Sequence, residues 1–61
     1  MIMVYAKNDK VEIHGGRIGI IENVCYEMIN SEETDKVYCY EANINGVSGC
    51  IVYPDEIEEK L

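Results

Sequence analysis

Lys10-Val11-Glu12-Ile13-His14-Gly15-Gly16-Arg17-Ile18-Gly19-Ile20-Ile21-Glu22-Asn23-Val24 is the stretch on which the fold turns. Val11 and Ile13 alternate with Lys10, Glu12 and His14, the period-two pattern of a strand with one buried face. Gly15-Gly16 supplies the backbone freedom that reverses the chain. Beyond it, Ile18, Ile20 and Ile21 resume the apolar pattern around Gly19, where the missing side chain lets a strand coil sharply. The stretch reads as a hairpin whose second strand is coiled.

The rest of the chain is written in the same residue types. Nine isoleucines, six valines and five tyrosines stand against one leucine and two alanines, so the apolar set suits a pleated surface rather than a helix. Glycine and asparagine punctuate it at Gly15-Gly16, the polar stretch 30–35 and Asn45-Gly46. Strands are expected at about 2–6, 10–14, 17–29, 36–44 and 47–53. The segment 17–29 is long for one strand, and a bend near Glu22-Asn23 would turn its halves toward different neighbours. Asn45-Gly46 tolerates the two positive φ angles of a type I′ turn. Pro54 stops the last strand, and Asp55 and Glu56 suit the start of a helical turn. On that turn Ile57 and Leu61, four apart, would share a face and plug the end of a barrel. Sixty-one residues hold a single domain. Five short strands leave open edges and one apolar face if flat, so a small, partly open all-β barrel is expected over 1–61.

The first hairpin, from Lys10 to Val24, resembles that of SH3-like barrels of the KOW type, with alternating apolar residues, a glycine turn and a second glycine. Ile44-Asn45-Gly46-Val47 through Tyr53-Pro54-Asp55-Glu56-Ile57-Glu58 is similar to the closing part of SH3-like domains. There a tight hairpin leads into a strand that ends in a single helical turn. The two stretches cover about half of the chain and occur in the matching order. The resemblance implies an SH3-like barrel and a binding role, toward RNA and its machinery or toward peptides. KOW-type basic positions are matched only by Lys10, Arg17 and His14. The tryptophan usual in proline-rich peptide grooves is absent.

Charge separates these classes further. The formal net charge is −7, and residues 31–61 carry eight acids against Lys36 and Lys60. A phosphate backbone is repelled by that half, so nucleic acid is a disfavoured partner and a protein with a basic surface a favoured one. No stretch approaches the roughly 18 apolar residues of a membrane span. The opening run Met1-Ile2-Met3-Val4-Tyr5-Ala6 lacks the charge and length of a signal peptide. Cys25, Cys39 and Cys50 cannot all pair within the chain, which suits free thiols in a reducing, cytoplasmic setting.

No catalytic or cofactor chemistry is expected. His14 with the three cysteines makes a Cys3His set, but the spacings of 11, 14 and 11 residues contain no Cys-x-x-Cys knuckle. On simple alternation Cys39 shares a side with Glu41, and Cys50 with Ser48 and Val52. Small apolar fillers are the better description of the cysteines, and no metal is expected. His14, beside the glycine turn, suits an exposed turn residue better than a base activating a thiol. Acid pairs such as Glu32-Glu33, Asp55-Glu56 and Glu58-Glu59 read as solvated charges. Gly15-Gly16-x-x-Gly19 joins strand to strand and lacks the helix of a phosphate loop.

The candidate binding residues are Tyr26, Tyr38, Tyr40 and Tyr53, with Arg17. Tyrosine combines a large apolar area with a polar tip and suits interfaces. By alternation Tyr38 and Tyr40 share a face beside Tyr26, and two of the four rings are expected in the core, with at least one at the surface. The leading expectation is therefore a small acidic module that docks on a protein, with strand edges that a partner or a second copy can extend. An acidic inhibitor that mimics nucleic acid ranks second, and a KOW-like contact through Lys7, Lys10 and Arg17 third. An enzyme ranks last.

Overall fold

In a computed structural model of the chain, residues 5–61 are described. They form an all-β protein with five antiparallel strands in one open sheet. The strands are β1 (Lys10–Ile13), β2 (Arg17–Ile29), β3 (Glu32–Ile44), β4 (Val47–Val52) and β5 (Ile57–Lys60). A 3-10 turn, Pro54–Glu56, separates the last two. The sheet order is β4-β3-β2-β1-β5.

The turns follow from the residues at them. Gly15 and Gly16 take φ of 90° and 77° between β1 and β2, and Ile13 pairs with Arg17 across them. Asn45 and Gly46 take φ of 53° and 83°, the paired left-handed conformation of a type I′ turn. Asn30 and Ser31 do the same at 53° and 67°, so Ile29 faces Glu32 directly.

Thirteen-residue β2 and β3 would each run about 43 Å if straight, at roughly 3.3 Å per residue. The molecule extends 36 Å along its longest principal axis, and the pairing of the two strands is broken by bulges. Ile21 faces Ala42 but Asn23 faces Glu41, leaving Glu22 as an extra residue at the expected bend. Gly19 sits where side chains of β1 and β3 crowd the backbone of β2. A Cβ there would lie 2.9 Å from Cδ1 of Ile13 and 3.3 Å from Cγ1 of Ile44. The curled sheet brings Val52 of β4 and Ile57 of β5, on opposite edges, into one core with Val11, Ile13, Ile21, Tyr40 and Ala42.

Three segments differ from the sequence reading. The strand expected at 2–6 lies outside the described residues up to residue 4. Tyr5 and Ala6 are not in a strand, because a turn closes directly after them. The Asp9 carboxylate accepts the Ala6 N–H at 2.8 Å, and Asn8 takes φ of 76°. Tyr5 instead packs its ring edge-on to Tyr40, centroids 5.8 Å apart. The loop expected at 30–35 is a two-residue reversal, so β3 starts at Glu32 rather than 36. The C-terminal helical turn stops after three residues and the chain becomes β5. Ile57 is buried while Leu61 is exposed, so the two share no helical face. The outer edge of β1 presents backbone groups that a strand satisfies and a helix would not. The His14 N–H donates to Glu56 O and the Leu61 N–H to Lys10 O, both at 2.8 Å.

Candidate functional site

β3 carries the tyrosines, and its two faces do different things. Tyr40 stands opposite Val24 and Val52, on the core side, and is fully buried. Its hydroxyl accepts the Tyr5 N–H at 3.2 Å, so the buried polar tip is satisfied. One residue along, Cys39 faces Cys25 and Glu41 faces Asn23 and Ile51, on the reverse side. Asn23 Nδ2 donates to Glu41 Oε1 at 3.4 Å, and the Cys25 thiol lies 4.0 Å from the same oxygen. Burial, then a hydrogen bond to Cys39, then the charges of Cys39 and Glu41 push the Cys25 thiol above its ordinary value.

Alternation fails at Tyr38. Cys25 pairs with Cys39, but Tyr26 pairs with Val37, leaving Tyr38 as an extra residue on β3. Val37 takes the core-facing place and packs on the buried cluster. Tyr38 is expelled to the surface, 57% exposed. There it meets Tyr53, the residue after β4, which is 46% exposed. The rings pack edge to face, centroids 6.1 Å apart and planes at 87°, an arrangement favoured by the ring quadrupoles. The charge of Tyr38 pushes the Tyr53 phenol above its ordinary value, assisted by partial burial, a hydrogen bond to Tyr38 and the charges of Cys39 and Glu56.

Tyr38 also borders a shallow depression with Tyr26, Glu27 and Met28. Met28 is exposed, as is Ile51 of β4. Glu27 is ion-paired with Lys36 at 3.2 Å. Glu56 anchors the other end of the patch. Its Oε1 accepts the Tyr53 N–H at 2.9 Å, and its Oε2 lies 3.8 Å from the Arg17 guanidinium.

Of the five residues singled out from sequence, the structure therefore joins Tyr26, Tyr38 and Tyr53 around one exposed surface. Tyr40 is one of the rings that fall in the core, because the bulge at Tyr38 separates the two rings that alternation would place together. Arg17 belongs to the first hairpin, where its Nε also donates to His14 O at 3.1 Å. Glu56 links it to Tyr53. Met28 and Ile51 carried no signal of exposure in the sequence, since apolar residues in strands are ordinarily core.

A second, more polar concavity is lined by residues including Lys7, Glu22, Asn23, Glu41 and Asn43. Its carboxylates are engaged within the fold. Glu22 accepts Ser48 Oγ at 2.9 Å and the Gly49 N–H at 3.0 Å, and Glu41 holds Asn23. Among the described residues no group of three or more His, Cys, Asp or Glu side chains could hold a metal ion. No helix among them is long and apolar enough to cross a membrane. Compared with known proteins, the chain matches no family model, no curated protein and no solved structure.

Proposed function

We propose that this chain is a small acidic binding module that docks on a protein with a basic surface, through the exposed surface centred on Tyr38. The observation that carries the reading is the Tyr38–Tyr53 pair, two half-exposed aromatic rings fixed edge to face on the outside of the sheet. Rings held in place lose little freedom on binding, and tyrosine is enriched where interfaces concentrate their energy. Twelve acids against five bases favour a cationic partner and speed its approach. The SH3-like reading of the fold is part of the proposal. A glycine turn with Gly15 and Gly16 at positive φ and a 3-10 turn over Pro54–Glu56 support that reading. Three free thiols suit a cytoplasmic setting.

Mimicry of a nucleic acid needs a regular row of acids along one face. Here the acids are distributed over β1, β2, β3, β5 and the 3-10 turn, and Asp9, Glu27, Glu56 and Glu58 lie beside cationic or imidazole side chains. The docking reading is tested by affinity capture from lysate at low and high salt, with wild type beside a Tyr38→Ala/Tyr53→Ala double variant. A protein held by wild type, weakened by salt and lost on the double variant supports it. Failure to retain any protein at either salt, or equal retention by both chains, refutes it.

A further inference from the structure

Cys25 on β2 and Cys39 on β3 are direct cross-strand partners. Partners in an antiparallel ladder have Cα atoms about 4.5–5.5 Å apart and side chains on the same face. That spacing falls inside the roughly 4.4–6.8 Å window that a disulfide requires. We propose that Cys25 and Cys39 are a redox-modification site, closing to an intrachain disulfide by exchange with a small-molecule disulfide of the glutathione type.

The surroundings give the two thiols distinct roles. Cys25 is partly exposed, whereas Cys39 is buried, so the incoming disulfide meets Cys25 first. The fraction of Cys25 that ionises, kept small by its raised pKa, attacks one sulfur of oxidised glutathione, forming a mixed disulfide and expelling one glutathione thiolate. Cys39 then attacks the Cys25 sulfur, breaking the mixed bond and expelling the second. The protein loses two electrons, oxidised glutathione gains them, and the two cysteine protons end on the two released thiols. The extra residue at Tyr38, directly beside Cys39, gives β3 the slack to adjust its approach to β2.

Cys50 is set apart from this pair. It stands opposite Ala42, a core-face residue, and its thiol donates to Val47 O at 3.4 Å. The register thus singles out one pairing among the three that the cysteines allow.

The test equilibrates the full chain in buffers of rising oxidised-to-reduced glutathione ratio, quenches by alkylation and reads intact mass and fragments. The expected product is lighter by two hydrogens and carries one alkyl group, on Cys50. Cys50→Ser should give the same bond with no alkyl group, and Cys25→Ser or Cys39→Ser should abolish it. In strong denaturant the preference for the Cys25–Cys39 pairing should vanish. Persistence of three alkylatable thiols, stable glutathione adducts, bonds through Cys50, covalent dimers, or the same preference in the unfolded chain would each overturn the proposal.

Discussion

Gly19→Ala probes the geometry on which the curled sheet depends. The new methyl would sit 2.9 Å from Cδ1 of Ile13, a fully buried side chain, and 3.3 Å from Cγ1 of Ile44. Either the Ile13 side chain leaves its preferred rotamer or β1 and β3 move away from β2. Overpacking of this kind costs about 1–3 kcal/mol. A domain of this size has roughly 3–5 kcal/mol to lose, so the variant should keep its fold with a visibly lowered urea midpoint. At about 4–8 °C per kcal/mol, a 2 kcal/mol loss lowers Tm by roughly 8–16 °C. The sharper test is a double-mutant cycle with Ile13→Val, which removes the clashing Cδ1. Alone it should cost about 0.5–1.5 kcal/mol; on the Gly19→Ala background it should cost less or restore stability. Urea unfolding followed by circular dichroism, with an unchanged m value, supplies the free energies. Strict additivity of the two changes, or a Gly19→Ala midpoint equal to wild type, would refute the close approach.

Three further outcomes follow from named contacts. Tyr40→Phe leaves the Tyr5 N–H without its buried acceptor and should cost about 1–3 kcal/mol by the same unfolding assay. Glu22→Ala removes the carboxylate that holds Ser48 and the Gly49 N–H, loosening β4 where its register slips, Cys50 facing Ala42 but Val47 facing Ile44. These bonds are solvent-exposed, so the loss should be about 0.5–1.5 kcal/mol, with faster amide exchange at Gly49 than at Ile13. In Tyr38→Phe the Tyr53 phenol loses the main cause of its upward shift, so its titration, followed by ring-carbon NMR shifts, should move to lower pH. In wild type the folded state disfavours the Tyr53 anion. Stability should therefore decline as pH rises from the unfolded-chain pKa of Tyr53 through its folded value.

Much of this architecture was legible in single residues. Asn45-Gly46 and Gly15-Gly16 announce their turns because positive φ strains most other residues, and a strand as long as 17–29 cannot stay straight in a small domain. The fifth strand was not legible. Ile57-Glu58-Glu59-Lys60 has one apolar residue, and what makes it a strand is the open edge of β1, a tertiary fact absent from its own pattern. The tyrosine site was half legible for the same kind of reason. Residue type marks Tyr26, Tyr38 and Tyr53, but the bulge that turns Tyr38 out and leaves Tyr40 in arises from how β2 and β3 pair. No periodicity within β3 encodes it.

The docking role of the tyrosine surface is tested most directly by the affinity of a captured partner for wild type and for Tyr38→Ala. Tyr38 is 57% exposed, so the substitution spares the core, and unchanged circular dichroism verifies that the fold persists. Loss of a central aromatic anchor costs about 2 kcal/mol or more, which predicts Kd weakened roughly thirtyfold. A Kd unchanged by the substitution, in a chain that remains folded, would contradict the account.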